Sequence, residues 1–266
     1  MRKLQRWVML HRIPSIIILS AIYIVGVFAV CDLLPIHPWI STIVLGVLFF
    51  LSILRIATIP DAWILEPLKA LTEQCDPYPL LQEIHKIPME KLAEPLRQSM
   101  TINYCFALHY IGNYQLVLDT LSSLNIDKHG GMLPVNKAVY YNNLSAAYRC
   151  LQKHEEAEIW YTKMMQIYSD LPGNKLKKSL ESVVLSAQID HHRYTGEYEK
   201  AMELLNTVKP KNLLGEVGLH MQLAQNYLAL GEKDLARENL QFVVDNGNKL
   251  YAVTEAKELL AKLDAE

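Results

Sequence analysis

Apolar positions fall into two regimes along this chain. From Ile13 to Cys31 no side chain is charged, and from Leu33 to Leu54 only His37 can titrate. A helix rising ~1.5 Å per residue needs about 20 residues to cross ~30 Å of hydrocarbon, so both runs have the length of a membrane span. The stretch between them, "DLLPIHP", supplies Asp32, Pro35 and Pro38 as a polar, helix-breaking turn. Spans at about 13–31 and 37–55 then form an antiparallel transmembrane hairpin within an anchor of residues 1–60. The "FAVC" at 28–31 departs from a lipoprotein cleavage box at Val30, and a second apolar run follows at once.

Farther on, apolar residues return at helical spacing, and one stepped pattern recurs. In "LHMQLAQNYLALGEKDLA" a small residue, Ala224, is followed by Tyr227, Gly231 and Ala236, at steps of three, four and five. The same steps appear as Ser145, Tyr148, Gln152 and Ala157, as Ile189, His192, Gly196 and Ala201, and as Cys105, Leu108, Gly112 and Val117. Apolar residues follow four and seven positions beyond the last member: Leu121 and Leu124, Tyr161 and Met164, Leu205 and Val208, Leu240 and Val243. That is a second helix with one buried stripe. Each copy therefore predicts a helical hairpin: small residues where its helices approach, an aromatic filling the space beside them, and glycine ending the first helix in a left-handed conformation.

The copies start 40, 44 and 35 residues apart, the longer intervals implying linkers at "NIDKHGGMLPVNK" and "DLPGNKLKKSLES". A fixed-period helical hairpin is the mark of a stacked array. These residues resemble the tetratricopeptide repeat family, whose unit is a 34-residue helix–turn–helix, over roughly residues 98–250. The expected architecture is all-α: the membrane hairpin, an irregular connector at 61–97, then a repeat domain at 98–266 of about four hairpins. From Tyr251, an amphipathic helix carrying Val253, Ala256, Leu260 and Leu263 on one face is expected to cover the end of the last hairpin.

Composition sharpens this picture. Nine of the twelve prolines fall at or before Pro95, so short helices are expected between them in the connector. Residues 1–60 carry Arg2, Lys3, Arg6, Arg12 and Arg55 against Asp32, a balance of +4, whereas 61–266 carry 21 basic and 27 acidic side chains, a balance of −6. Basic residues flank both spans and none lies in the loop, which directs both ends to the cytoplasm. The expectation is an integral protein of the plasma membrane with its amino terminus and repeat domain cytoplasmic. A net charge of −2 gives no general attraction to nucleic acid.

Candidate chemistry is sparse. Cys31, Cys75, Cys105 and Cys150 have no metal-ligand spacing, and no phosphate-binding, dinucleotide-binding or nucleophile-elbow motif occurs. In "DHHRY" (190–194) the adjacent histidines point about 100° apart on a helix and cannot share an ion from one face. No catalytic residue, metal or cofactor is expected. The resemblance instead implies a concave groove lined by the first helix of each hairpin, where Asn103, His109, Asn142, Arg149, Asp190, Arg193, Met221 and Gln225 would meet a partner. Some family members clamp a carboxyl-terminal acid with Lys, Arg and Asn; Arg149, Arg193, Asn142 and Asn143 echo that set in part, without the lysines and with Asp190 opposing an acid. The expected function is a membrane-tethered scaffold or adaptor for a partner protein or peptide. The alternatives are a peptide-sensing receptor and an accessory or assembly subunit of a membrane enzyme complex.

Overall fold

The computed structural model describes residues 7–8, 10–33, 38–127 and 132–265, apart from the side chains at 12–13, 31–33, 38, 41, 55 and 57–62. Every regular element among them is helical. By packing the chain divides into one unit of residues 1–66 and 88–92, and a second of residues 67–87 and 93–266.

In the first unit, α1 (Arg12–Leu33) and the start of α2 (Pro38–Gln74) carry the apolar runs. Tyr23 stacks on Phe49 with ring centroids 4.9 Å apart. These residues lie at similar distances from the two helix ends that face each other in sequence, so the helices run antiparallel. Gly46 presents its open face to the Tyr23 hydroxyl. Apolar side chains face outward over a broad surface: Ile22, Val25 and Phe28 are 63%, 66% and 68% exposed, and Ile43 and Phe50 are 56% and 59% exposed. Among the described residues no helix is long and apolar enough to cross a membrane. The expected turn at 34–37 and the basic residues at 2, 3 and 6 lie outside the described residues.

The connector departs from expectation at its prolines. Pro60 and Pro67 do not separate short helices; both lie inside α2, which continues to Gln74. A proline within a helix removes one hydrogen bond and crowds the carbonyl four residues back, and burial of Ile64, Pro67 and Leu71 on this stretch opposes that cost. Elsewhere prolines behave as helix starters. Pro79, Pro95 and Pro134 stand in the first turn of α3 (Tyr78–His85), α4 (Glu94–Tyr110) and α6 (Pro134–Cys150), where the missing N–H would have had no partner.

The second unit contains the four expected hairpins: α4 with α5 (Tyr114–Ser122), α6 with α7 (His154–Asp170), α8 (Asn174–Tyr194) with α9 (Tyr198–Leu205), and α10 (Leu213–Leu230) with α11 (Lys233–Asn246). Each packs internally and against its successor, so hairpins follow one another in layers. The stepped pattern sits at the centre of each layer. Cys105, Ser145, Ile189 and Ala224 are buried, as are Val117, Ala157, Ala201 and Ala236 facing them. Ser145 Oγ donates to the Ala157 carbonyl at 2.8 Å, a bond that holds two helices at the separation a small residue permits.

The interhelical turn is the same in all four copies. The amide of Asn113, Lys153, Glu197 or Glu232 donates to the carbonyl of Leu108, Tyr148, His192 or Tyr227, at 2.8–3.0 Å. This six-to-one bond, with the residue before the donor in the left-handed region, is a Schellman ending. The aromatic position thus contributes its backbone in every copy, which is why leucine and histidine can replace tyrosine there. Gly112, Gly196 and Gly231 take φ near +80°, and Gln152 is held at φ +60° without glycine's freedom.

The last helix, α12 (Tyr251–Ala265), packs along α11 as a cover for the final hairpin requires. It does more than cover an end. Asn248 Nδ2 donates to the Gln74 carbonyl at 2.7 Å, Lys249 N to the Cys75 carbonyl at 3.2 Å, and Lys249 Nζ pairs with Asp76 at 2.6 Å. Tyr251 lies so close over Gly112 that a Cβ there would stand 2.6 Å from its ring. The four layers therefore curl until the last turn of the array meets the turn before α3.

Candidate functional site

The residue after each aromatic position occupies one register on the first helices: His109, Arg149, Arg193 and Leu228. Their surroundings differ, and the difference begins three residues earlier, one helical turn away on the same face. At Arg193 that residue is Asp190. The Arg193 guanidinium donates from Nη2 to Asp190 Oδ1 at 3.1 Å, donates from Nη1 to Gln225 Oε1 in the next hairpin, and lies 4.8 Å from the Tyr194 ring centroid. Asp190 also accepts from Gln222 Nε2 at 3.1 Å. Three expected groove residues, Asp190, Arg193 and Gln225, are therefore brought together, but bonded to one another.

At Arg149 the residue three earlier is Ala146. Arg149 is only 4% exposed, its Nη2 has no hydrogen-bond acceptor, and no described carboxylate is ion-paired with it. Its guanidinium is sandwiched between aromatic faces instead, 5.4 Å from the Tyr161 centroid and 5.9 Å from that of Tyr194. Each face returns about 2 kcal/mol at such desolvated sites, of the same order as the roughly 3–5 kcal/mol for a buried charge lacking its partner.

Arg149 lines a cavity of about 860 Å³ between α7 and the end of α8. His154, Glu155, Glu158, Ile159, Thr162 and Lys163 come from α7, and His191, Tyr194 and Thr195 from α8. Two aromatic pairs stand at the cavity: His191 stacks on Tyr161 with centroids 4.4 Å apart, and His154 packs against Tyr194 at 4.9 Å. Glu158 is engaged by His191 Nδ1 at 2.9 Å, and Lys163 Nζ stands 4.1 Å over the Trp160 ring. Glu155 and Glu158 are both exposed, so solvent screens them far more than it screens Arg149.

The remaining expected groove residues are not gathered here. Asn103 Nδ2 bonds the Ser99 carbonyl of its own helix at 3.0 Å, Asn142 is half-buried, and the neighbouring Asn143 has a buried Nδ2 without an acceptor. Met221 is 7% exposed and packs in the core. His109 sits on the inner side, 5.2 Å from Tyr114 between ring centroids; burial lowers its pKa, opposed by the charge of Asp190. Burial raises the Cys150 thiol to about 12. Burial also raises Glu255 of α12, which feels the charge of Arg193.

The two adjacent histidines have separate acids: His191 meets Glu158, and His192 Nδ1 meets Glu197 at 2.6 Å. Among the described residues no cluster of three or more His, Cys, Asp or Glu side chains could hold a metal ion. Reading the sequence for groove positions missed the α7 wall of the cavity, because "KHEEAE" has the composition of a solvated helix start. The available signal was Arg149 itself, which has no acid three or four residues away on either side. No protein-family model, curated protein or solved structure matches this chain.

Proposed function

We propose that this chain is a membrane-tethered scaffold: an antiparallel apolar hairpin holds a tetratricopeptide-like array at the cytoplasmic face of a membrane, where the array captures a partner protein or peptide. The tether rests on one observation. Isoleucine, valine and phenylalanine side chains of α1 and early α2 stand exposed on a broad outer face, and so wide an apolar surface is stable where lipid or protein covers it. Tethering raises the effective concentration of array and partner at the surface.

The array supports capture through its layers, whose small residues are buried between the paired helices. Two measurements test the reading. Alkaline carbonate should leave the full chain in the membrane pellet; release into the supernatant contradicts the tether. Partner recovered from detergent extracts should disappear on deletion of residues 98–266, and unchanged recovery contradicts capture by the array.

A further inference from the structure

The cavity between α7 and α8 lies off the inner column of first-helix residues, since most of its wall comes from the second helix of hairpin two. It combines a buried guanidinium lacking a carboxylate with a mouth carrying Ile159, 54% exposed, and Tyr194, 39% exposed. A cavity of about 860 Å³ is within the range that holds a few side chains rather than a bare ion. Glu155 and Glu158 at its rim oppose a multiply charged phosphate more than a single carboxylate.

We propose that this cavity binds an acidic side chain from an internal peptide segment, with the carboxylate on Arg149 and a neighbouring apolar residue on Ile159 and Tyr194. The inference rests on the reading of the array as a peptide-capturing module and locates its specificity in hairpin two. An Arg–carboxylate contact made out of water is directional and charge-assisted. It supplies the partner that Ala146, unlike Asp190, does not.

The test uses the full chain in detergent micelles and two fluorescein-labelled, C-terminally amidated hexapeptides, one centred on Leu-Glu-Leu and the other on Leu-Gln-Leu, followed by anisotropy. The glutamate peptide is expected to bind about tenfold more tightly or better, the scale of one charge-assisted hydrogen bond. Ala146→Asp, which offers Arg149 an internal acid, is expected to erase that preference. Thr162→Trp, at an exposed position of the cavity wall, is expected to abolish binding of both peptides without touching Arg149. Equal affinity for the two peptides, a preference surviving in Ala146→Asp, or displacement by equimolar inorganic phosphate would each overturn the proposal. Partner recovery that persists in Thr162→Trp after peptide binding is lost would also overturn the pocket's role, while leaving the scaffold reading intact.

Discussion

Hairpins two and three are built to one plan and differ at the same register. Both end their first helix with the same backbone bonds, and both place an arginine just after the aromatic position. Hairpin three gives Arg193 a carboxylate one turn earlier and an amide from the next hairpin. Hairpin two gives Arg149 an alanine and two aromatic faces. Hairpin three supplies its arginine with a carboxylate, whereas Arg149 has none among the described residues, and each keeps one buried guanidinium nitrogen without an acceptor.

The comparison can be broken from either side. Asp190→Ala should bring hairpin three closer to hairpin two, leaving Arg193 with Gln225 and the Tyr194 ring but no carboxylate. With the Arg193 side chain 16% exposed, the expected loss is about 2–3 kcal/mol, below the ~3–5 kcal/mol of a fully buried pair, and chemical denaturation of the full chain in micelles measures it. In the opposite direction, Ala146→Asp should give hairpin two the ion pair of hairpin three and stabilise by about 1 kcal/mol, the upper range for a partly exposed pair. A destabilised Ala146→Asp chain would mean that the two registers are not equivalent in space.

A smaller effect separates the two turns. Gly196 takes φ +79° freely, whereas Gln152 holds φ +60° against its own Cβ. Gln152→Gly should therefore stabilise by roughly 0.5–1 kcal/mol, read as a rise in denaturation midpoint. No gain would show that the glutamine side chain contributes an interaction offsetting the strain.

The first hairpin provides the smallest test, through His109 in the register of the two arginines. Its pKa is lowered by burial, so the folded state favours neutral imidazole. The stability it contributes is present above the unfolded value near 6.5 and falls away as pH drops through the lower folded value. His109→Gln should flatten the melting temperature between pH 7.5 and pH 5.5 relative to the unchanged chain. An equally steep profile would place the acid sensitivity elsewhere.

Much of the array was legible in the sequence because its periodic features are forced by close packing. Small residues at 105, 145, 189 and 224 (isoleucine in the third) and their partners at 117, 157, 201 and 236 all reach the core. Gln152 was recognisable as a glycine substitute, and it adopts glycine's conformation. What local pattern could not supply was the curl of the stack. The meeting of Asn248 and Lys249 with residues 74–76 depends on a small rotation accumulated over four layers, which no short stretch encodes. Pro67 misled for the converse reason, since local propensity for a break is outweighed where Ile64, Pro67 and Leu71 are buried on one stretch of the helix. For the candidate site, the sequence placed Arg149, Asp190, Arg193 and Gln225 on one helix face, but Met221 shows that an inward register does not distinguish core from groove.

Arg149→Met separates the two roles this arginine could have, holding an external acid or holding the fold. An apolar side chain of similar length fills the same space between Tyr161 and Tyr194 without a charge to desolvate. The prediction is a melting temperature equal to or above that of the unchanged chain, together with loss of preference for the glutamate peptide. A fall in melting temperature as large as that of Asp190→Ala would contradict the first role, because Arg149 would then be holding the array together.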